Sequence, residues 1–185
     1  FNSFDLKKKI IHQKKDIKNL KNLKKIFLKF NPDYVFHLAA QSLVKKSYQN
    51  PLNTWSTNLI GTLNIMECLR VQKKKSIAVI ITSDKAYKNI EIKKGYKETD
   101  QLGGTDPYGA SKSAADIAIN SYIKSFFHDL KNNKRIAIAR AGNVIGGGDW
   151  SEDRLLPDCF KKWTNNKKVT IRSPNSTRPW QHVID

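Results

Sequence analysis

The segment IAVIITSDKAYK (77–88) decides the fold class, because it joins an uninterrupted apolar run to a polar turn. Such a run, bounded by polar residues, is typical of a strand buried on both faces of a parallel sheet. Two similar runs, YVFHL (34–38) and RIAIAR (135–140), lie on either side of it along the chain, and VTIR (169–172) is a shorter fourth candidate. We therefore expect several buried parallel strands.

Segments with helical periodicity separate these strands. Residues 18–30, 51–72 and about 107–130 carry apolar side chains at the three- and four-residue spacing of helices that pack on a sheet. The triplet NPD (31–33) ends the first helix, and Pro51 suits the start of the second. Strands that alternate with helices indicate the α/β class with right-handed crossovers. We predict a Rossmann-like, doubly wound parallel sheet with helices on both faces.

The residue composition of the sequence changes after Arg140. The segment that follows (141–158) is rich in glycine and acidic residues, and the regular alternation ends there. We expect residues 1–143 to form a nucleotide-binding domain and residues 144–185 to begin a small C-terminal substrate-binding part. The first residues do not follow the order of a signal peptide. The chain has no initiator Met, and we expect a fragment of a longer protein.

The net charge of +18 raises the question of a polyanionic partner. The excess is mostly Lys in short runs without interleaved aromatic residues, and a genome-wide residue bias is the alternative explanation. We therefore expect no nucleic-acid partner. No run of about 18 apolar residues occurs in the sequence, so we also expect no membrane span.

The two cysteines, Cys68 and Cys159, are far apart in sequence. They could pair, but isolated cysteines are more typical of buried thiols in a reducing compartment, and we expect a cytoplasmic protein. The histidines are scattered without the spacing of metal ligands, so we expect no metal site.

Small and polar residues follow each predicted strand, as LAAQ (38–41), TSDK (82–85) and RAGN (140–143). In open α/β sheets, ligands bind at the carboxyl ends of the strands. The small residues of LAA would allow a bulky planar ligand to approach closely, although Ala is also ordinary in a tight strand-to-helix turn. These three strand ends are the predicted site.

Tyr108 and Lys112 lie four residues apart, so both project from one face of a helix. A nearby ammonium would lower the pKa of the Tyr108 phenol from its usual value of about 10, making Tyr108 a general base toward a sugar hydroxyl. Ser83 could hydrogen-bond to the same hydroxyl. The alternatives are a packed helix pair for Tyr108 and Lys112, and an exposed turn pair for Asp84 and Lys85.

These motifs resemble the extended short-chain dehydrogenase/reductase family, and within it the nucleotide-sugar 4,6-dehydratases. The segments that carry the resemblance are DI (16–17), VFHLAAQ (35–41), NLIGTLNIMEC (58–68), TSDK (82–85), GYKETDQLGGTDPY (95–108), YGASK (108–112), RAGNVIGGGDW (140–150), EDRLLPD (152–158) and RPWQHV (178–183). Most of these dehydratases have Thr-Asp-Glu where this chain has Ser83, Asp84 and Lys85. A Lys in the Glu place is a feature of the branch that acts on CDP-sugars.

The resemblance implies NAD as cofactor, a CDP-sugar as substrate and a 4-keto-6-deoxy sugar as product, for deoxysugar and cell-surface polysaccharide synthesis. Tyr108 would take the C4 hydroxyl proton, Lys85 the C5 proton, and Asp84 would protonate the departing C6 hydroxyl. Ser83 and Lys112 complete the implied catalytic set. The alternatives are another nucleotide-sugar dehydratase or epimerase of the family, or a basic binding module without catalysis.

The resemblance also implies binding residues and an assembly. The cofactor residues would be Asp16, Ile17, Leu38, Ala39, Ala40, Gln41, Asn58, Ser83, Tyr108 and Lys112. The substrate residues would be Gln41, Asn143, Arg154 and Arg178. A homodimer would form through the helix that carries Tyr108 and its neighbour. The first β-α unit of the fold, with its glycine-rich turn, is expected upstream of the sequence.

Some of these residues have alternative roles. Asp16 could be the N-cap of the helix that follows it, and Asn58 could be a buried amide with satisfied hydrogen bonds. Arg172 could pair with the substrate diphosphate or be a surface charge. The segment GGGD (146–149) lacks the residues of a phosphate loop, and we expect it to give close backbone passage near the site.

Overall fold

The computed structural model describes residues 9–129 and 133–185. Strands β1 (Tyr34–His37), β2 (Ser76–Ile81) and β3 (Lys134–Ala139) form a parallel sheet in the order β1-β2-β3. Two short strands, β4 (Asn143–Ile145) and β5 (Trp180–His182), pair in parallel separately from that sheet. The α/β class with a parallel sheet is confirmed.

One helix precedes β1, and the others lie between successive strands. They are α1 (Leu20–Phe30), α2 (Val44–Gln49), α3 (Pro51–Trp55), α4 (Gly61–Val71), α5 (Pro107–Tyr122) and α6 (Leu155–Trp163), with π-helical turns at Ser56–Ile60 and Ile123–Phe127 and a 3-10 turn at Asp84–Ala86. The predicted helix 51–72 is therefore interrupted by a π-helical turn. The predicted helix 107–130 continues to Phe127, and its expected end at Leu130 lies outside the described residues.

The core lies between the sheet and the helices α1, α4 and α5. The register aligns Val35 with Ala78 and Ile136, and it aligns His37 with Ile80 and Ile138, so these side chains share one face of the sheet. The buried core residues are Leu23, Phe27, Ile65, Met66, Cys68, Leu69, Ala78, Ile80, Ile119 and Phe127. This single cluster fixes the strand ends relative to α5.

The opposite face of the sheet is open within the described residues. Tyr34 and Phe36 on β1 are 64% and 67% exposed, and Ile77 on β2 is 39% exposed. We expected helices on both faces, and the described helices cover one. The strand order follows the chain order, and successive crossovers of the same hand then place their helices on the same side.

The N-cap of α1 is Asn19, whose side chain accepts a hydrogen bond from the Asn22 amide (3.0 Å). The alternative that Asp16 caps this helix is wrong, since its carboxylate accepts from the Lys18 amide instead (2.9 Å). The helix ends at Asn31, which adopts the left-handed conformation (φ 41°) and precedes the proline of the NPD triplet.

The prediction of a strand at VTIR (169–172) is wrong. This segment has no regular structure, Ile171 is 46% exposed, and the Arg172 guanidinium pairs with Asp153 (3.0 Å). So short an apolar run forms a strand only where a neighbouring strand offers it hydrogen bonds, and the pairing in this region goes to β4 and β5 instead. The domain boundary after residue 143 stays a prediction.

Candidate active site

Ser83, Asp84 and Lys85 form a single capped turn at the carboxyl end of β2. The Ser83 hydroxyl accepts a hydrogen bond from the Lys85 amide (3.2 Å) and donates to Asp84 Oδ1 (3.1 Å). Ser83 is buried, whereas Asp84 and Lys85 are half-buried. This burial contradicts the alternative of an exposed turn pair.

The first turn of α5 packs on this turn. Asp106 caps the helix by accepting hydrogen bonds from the amides of Tyr108 and Gly109 (both 3.0 Å), and Pro107 occupies the first helical position. A Cβ atom on Gly109 would lie 2.9 Å from the Lys85 carbonyl oxygen, so only glycine allows this close approach. The sequence thereby brings Tyr108 next to the Ser83 turn.

The pKa of the Tyr108 phenol is raised, and this overturns the prediction that it is lowered. Burial is the largest cause, and the carboxylates of Asp84 and Asp106 raise the pKa further. A hydrogen bond with Ser83 and the charge of Arg154 act in the opposite direction. Arg154, rather than Lys112, is therefore the cation that favours the Tyr108 phenolate here.

Lys112 is 6% exposed, and its Nζ donates a hydrogen bond to the carbonyl of Ile81 (3.2 Å) at the end of β2. Burial lowers the pKa of Lys112 to about 8. Burial, and then the charge of Lys112, lower the pKa of His37 to about 4, and His37 Nε2 lies 3.0 Å from the Thr62 hydroxyl. The Lys112 ammonium thus lies at the carboxyl end of β2, where its neighbours are the Ile81 carbonyl and the neutral His37 imidazole.

Asn58 holds the loop that follows β1. Its Oδ1 accepts from the Gln41 amide (2.8 Å), and its Nδ2 donates to the Gln41 carbonyl (3.1 Å) and to the Ser111 hydroxyl (2.9 Å). The Gln41 side chain is itself bound to Thr54 (3.0 Å). These contacts agree with the buried-amide alternative for Asn58, and direct cofactor binding by Asn58 and Gln41 stays a prediction.

The rest of this loop leaves the carboxyl end of β1 accessible. Leu38 is 68% exposed, Ala39 is also exposed, and Ala40 is half-buried. The close approach of a planar ligand to these residues stays a prediction.

Ile17 is held on α4, and Asp16 precedes it at the surface. The Ile17 side chain packs on Gly61, where a Cβ would lie 2.5 Å from Ile17 Cδ1, and Asn64 Nδ2 donates to the Ile17 carbonyl (2.9 Å). The Asp16 carboxylate is exposed and lies 3.6 Å from the Lys18 ammonium. Their role in cofactor binding stays a prediction.

Arg154 joins the C-terminal part of the chain to the β1 loop. Its guanidinium donates to Asp149 (3.1 Å) and to the hydroxyl of Ser42 (3.0 Å), the residue that follows Gln41. Together with its effect on the pKa of Tyr108, this places Arg154 at the candidate site.

Three further predicted residues make hydrogen bonds or ion pairs outside the Ser83–Tyr108 cluster. Arg178 is exposed and donates to the Thr177 carbonyl (2.7 Å), Arg172 pairs with Asp153, and the Asn143 amide donates to the Pro179 carbonyl (2.9 Å). Among the described residues, no hydrogen bond or ion pair joins Arg172 or Arg178 to the Ser83–Tyr108 cluster. Gly146, of the GGGD segment, packs closely on Val183.

The sequence did not lead us to predict the buried ion pair between Asp116 and Arg140. Its two N–H···O contacts are 2.8 and 2.9 Å long. Arg140 directly follows β3, and Asp116 accepts a hydrogen bond from Thr82, which directly follows β2. The available signal was the position of Asp116, one further turn beyond Lys112 on α5, together with an Arg directly after an apolar strand.

A family model for GDP-mannose 4,6 dehydratase matches residues 2–185. The chain belongs to this family. A curated relative, CDP-glucose 4,6-dehydratase from Salmonella typhimurium, is 44% identical over 173 residues, which cover 92% of this chain and 48% of the relative. This member of the GDP-mannose 4,6 dehydratase family therefore spans about half the length of that relative.

Solved structures show the same fold as this dehydratase-family chain. A UDP-glucose 4-epimerase from Thermotoga maritima, with UDP-glucose, superposes with a TM-score of 0.81 at 23% identity, covering 93% of this chain and 55% of the epimerase. A dTDP-glucose 4,6-dehydratase double mutant from Streptomyces venezuelae, with NAD bound, gives a TM-score of 0.80 at 22% identity, covering 92% and 50%. These likenesses confirm the Rossmann-like class.

No helix within residues 9–129 and 133–185 has the length and apolar character that a membrane span requires. Over the same ranges, His, Cys, Asp and Glu side chains nowhere gather in a group of three or more that could hold a metal ion.

Proposed function

We propose that the protein is an NAD-dependent CDP-glucose 4,6-dehydratase, a lyase that converts CDP-glucose to CDP-4-keto-6-deoxyglucose and water. The observation that carries this proposal is the contact between the Ser83–Asp84–Lys85 turn and the first turn of α5, which places an acid, an amine and Tyr108 at one strand end. Lys85 and the relative at 44% identity both support a CDP-sugar as substrate.

The residues present fit a bound NAD. The β1 end is open at Leu38 and Ala39, and the Lys112 ammonium uses one N–H on the Ile81 carbonyl, which leaves donors for ribose hydroxyls. Bound there, NAD would supply the group that accepts the hydride from C4 and later returns this hydride to C6. Leu38, Ala39, Ala40 and Lys112 would hold the cofactor, with Asp16 and Ile17 at its adenine end.

Tyr108 would take the proton of the C4 hydroxyl while Ser83 hydrogen-bonds to the same oxygen. The phenol must first lose its own proton. Its pKa is raised by burial and by Asp84, and it is lowered by Ser83 and Arg154. We therefore expect the rate of C4 oxidation to rise with pH above neutrality.

Asp84 and Lys85 would carry the elimination of water. Lys85 would take the C5 proton, and Asp84 would give a proton to the C6 hydroxyl, which leaves as water. The C5–H and C6–O bonds break and a C5–C6 double bond forms. This bond would become single again when the hydride adds to C6 and Lys85 returns the proton to C5. Ser83 donates to Asp84 Oδ1 and so fixes the orientation of the acid.

The test is to supply the full-length protein with CDP-glucose, dTDP-glucose and GDP-mannose separately and to measure keto-sugar. We expect product from CDP-glucose alone, and we expect Lys85→Ala to lower kcat by about 100-fold or more. The matched control is Lys88→Ala, since Lys88 is exposed three residues further on. Ordinary product release by Lys85→Ala would remove Lys85 from this role, and turnover of another nucleotide sugar alone would overturn the substrate.

We also propose that the protein is a cytoplasmic homodimer that acts in deoxysugar synthesis for cell-surface polysaccharides. Cys68 and Cys159 are buried free thiols, as suits a reducing compartment. Ile117 on α5 and Ile60 beside α4 are 58% and 46% exposed, which suits an apolar contact between copies. Sedimentation of the full-length protein and of Ile117→Glu tests the dimer, and we expect the variant to be monomeric.

A further inference from the structure

The buried pair of Asp116 and Arg140 lies beside the candidate site without taking part in its proposed chemistry. Asp116 is fully buried, and the Arg140 side chain is 13% exposed. Arg140 donates from Nε to Oδ2 (2.8 Å) and from Nη2 to Oδ1 (2.9 Å), which is the bidentate arrangement that fixes geometry most firmly. Removal of either partner would leave a buried charge uncompensated.

Asp116 holds the beginning of the Ser83–Lys85 turn. The hydroxyl of Thr82, the residue directly before Ser83, donates to Asp116 Oδ2 (3.2 Å). Asp116 lies on α5 one turn beyond Lys112. The hydrogen bond therefore ties the entry of the turn to the helix that carries Tyr108.

Arg140 holds the end of the same turn. Its Nη1 donates to the Tyr87 hydroxyl (2.9 Å), and its guanidinium carbon lies 4.8 Å from the centre of the Tyr87 ring. Tyr87 closes the turn, because its amide donates to the Asp84 carbonyl (3.2 Å). Arg140 Nη1 also donates to the Glu98 carbonyl (3.1 Å), which attaches the segment between the turn and α5.

The backbone adds a third link in the middle of the turn. The Asp84 amide donates to the carbonyl of Ala141, the residue after Arg140 (3.0 Å). The turn that carries Asp84 and Lys85 is thus held at its entry, its middle and its end by Asp116, Arg140 and the chain next to Arg140.

We propose that Asp116 and Arg140 are a pair of positioning residues that fix Asp84 and Lys85 against Tyr108, so that proton transfer at C5 and C6 of the sugar depends on them. This inference rests on the proposed function. The pair acts through Thr82 and Tyr87 rather than by contact with the substrate. Loosening either connection would displace the Asp84 and Lys85 side chains without removing them from the protein.

The test uses Thr82→Val and Tyr87→Phe in the full-length protein, because each removes one hydroxyl from the links and leaves the ion pair intact. We expect each variant to lower kcat for CDP-glucose about tenfold with KM unchanged, since small displacements of reacting groups have effects of this size. Exchange of the C5 hydrogen with solvent deuterium should slow in parallel. In the unliganded protein, the amides of residues 84–87 should exchange faster.

The matched control is Tyr96→Phe. Tyr96 stacks on Tyr87 at 5.1 Å, but its hydroxyl contacts Asn89 and the Ile90 amide rather than the pair. We expect this variant to behave as wild type, and thermal unfolding checks that every variant is folded.

The possible outcomes separate the two proposals. If Thr82→Val and Tyr87→Phe match Tyr96→Phe in both kcat and amide exchange, the positioning role is overturned. If wild-type protein makes no keto-sugar, the proposed function fails and the role in proton transfer falls with it. Faster amide exchange at residues 84–87 in the two variants would then still show that Asp116 and Arg140 hold the turn in place. Unchanged exchange would overturn this structural role as well.

Discussion

The ammonium of Lys112 is buried at the carboxyl end of β2, with 6% of the residue exposed. Burial lowers its pKa from 10.5 to about 8, so the folded protein holds this proton less firmly than the unfolded chain does. Between pH 8 and 10.5 the unfolded state binds more protons, and stability rises with pH across that window. At neutral pH the buried charge opposes folding by roughly 3 kcal/mol.

We predict that Lys112→Met abolishes activity and raises the free energy of unfolding at pH 7 by roughly 1–3 kcal/mol, after the lost hydrogen bond to Ile81 is counted. The gain should shrink as pH rises from about 8 to 10.5. Denaturant unfolding at several pH values measures it. Lys21→Met, at an exposed position of α1, is the control and should change stability little; an equal gain there would contradict the explanation.

Tyr108 shows what residue spacing leaves undecided. The Tyr-x-x-x-Lys spacing correctly indicates that both residues start one helix, but it does not give the burial of either group. In the folded chain, burial of the phenol outweighs the nearby cation, and that cation is Arg154, which lies 46 residues along the sequence from Tyr108. The direction of the pKa shift was therefore open until the tertiary contacts were known.

The contact between the turn of β2 and helix α5 depends on glycines. A Cβ on Gly104 would lie 2.1 Å from the carbonyl carbon of Gly109, a backbone atom that has no flexible side chain to move aside. The Gly104 amide also donates to the Ser113 hydroxyl (2.9 Å), which fixes the loop on the helix. The start of α5 and the Ser83 turn thus form one packed unit.

We predict that Gly104→Ala destabilises the protein by roughly 1–3 kcal/mol or more, because the added methyl group overpacks two backbone segments. Activity should fall with it, since the first turn of α5 carries Tyr108. Gly147→Ala is the matched control, as a Cβ there meets nothing within 4 Å. Equal stability of the two variants in denaturant unfolding would show that the close approach at Gly104 does not occur.

At the level of elements, periodicity and capping residues predict the three main strands and the principal helices. They do not predict the π-helical turn at Ser56–Ile60, because that turn contains Asn58, whose partners Gln41 and Ser111 belong to other segments. They also wrongly predict a strand at 169–172, since an apolar run needs a neighbouring strand with free hydrogen bonds.

Over the whole described part of the chain, the apolar surface is distributed asymmetrically. Helices bury one face of the three-stranded sheet, while Tyr34, Phe36 and Ile77 line the other face. A contiguous apolar patch of this kind attracts apolar partners.

We predict that the 185-residue chain binds a hydrophobic fluorescent dye, and that the double variant Tyr34→Lys, Phe36→Lys binds it at least about twofold less. The control is Ile184→Lys, because Ile184 is a separate exposed residue near Asp185 (84% exposed). Dye fluorescence that is the same for all three proteins would show that this face of the sheet is covered.

Apolar periodicity and helix capping are enough to predict the α/β class, the order of strands and helices, and the group formed by Ser83, Asp84, Lys85 and Tyr108, because both act between residues close in the chain. Tertiary contacts set the directions of the pKa shifts of Tyr108 and Lys112, the ion pair of Asp116 and Arg140, the position of Arg154 near Tyr108 and the open face of the described sheet. Each of these depends on burial or on contacts between distant segments, and neither quantity is fixed until the chain has packed.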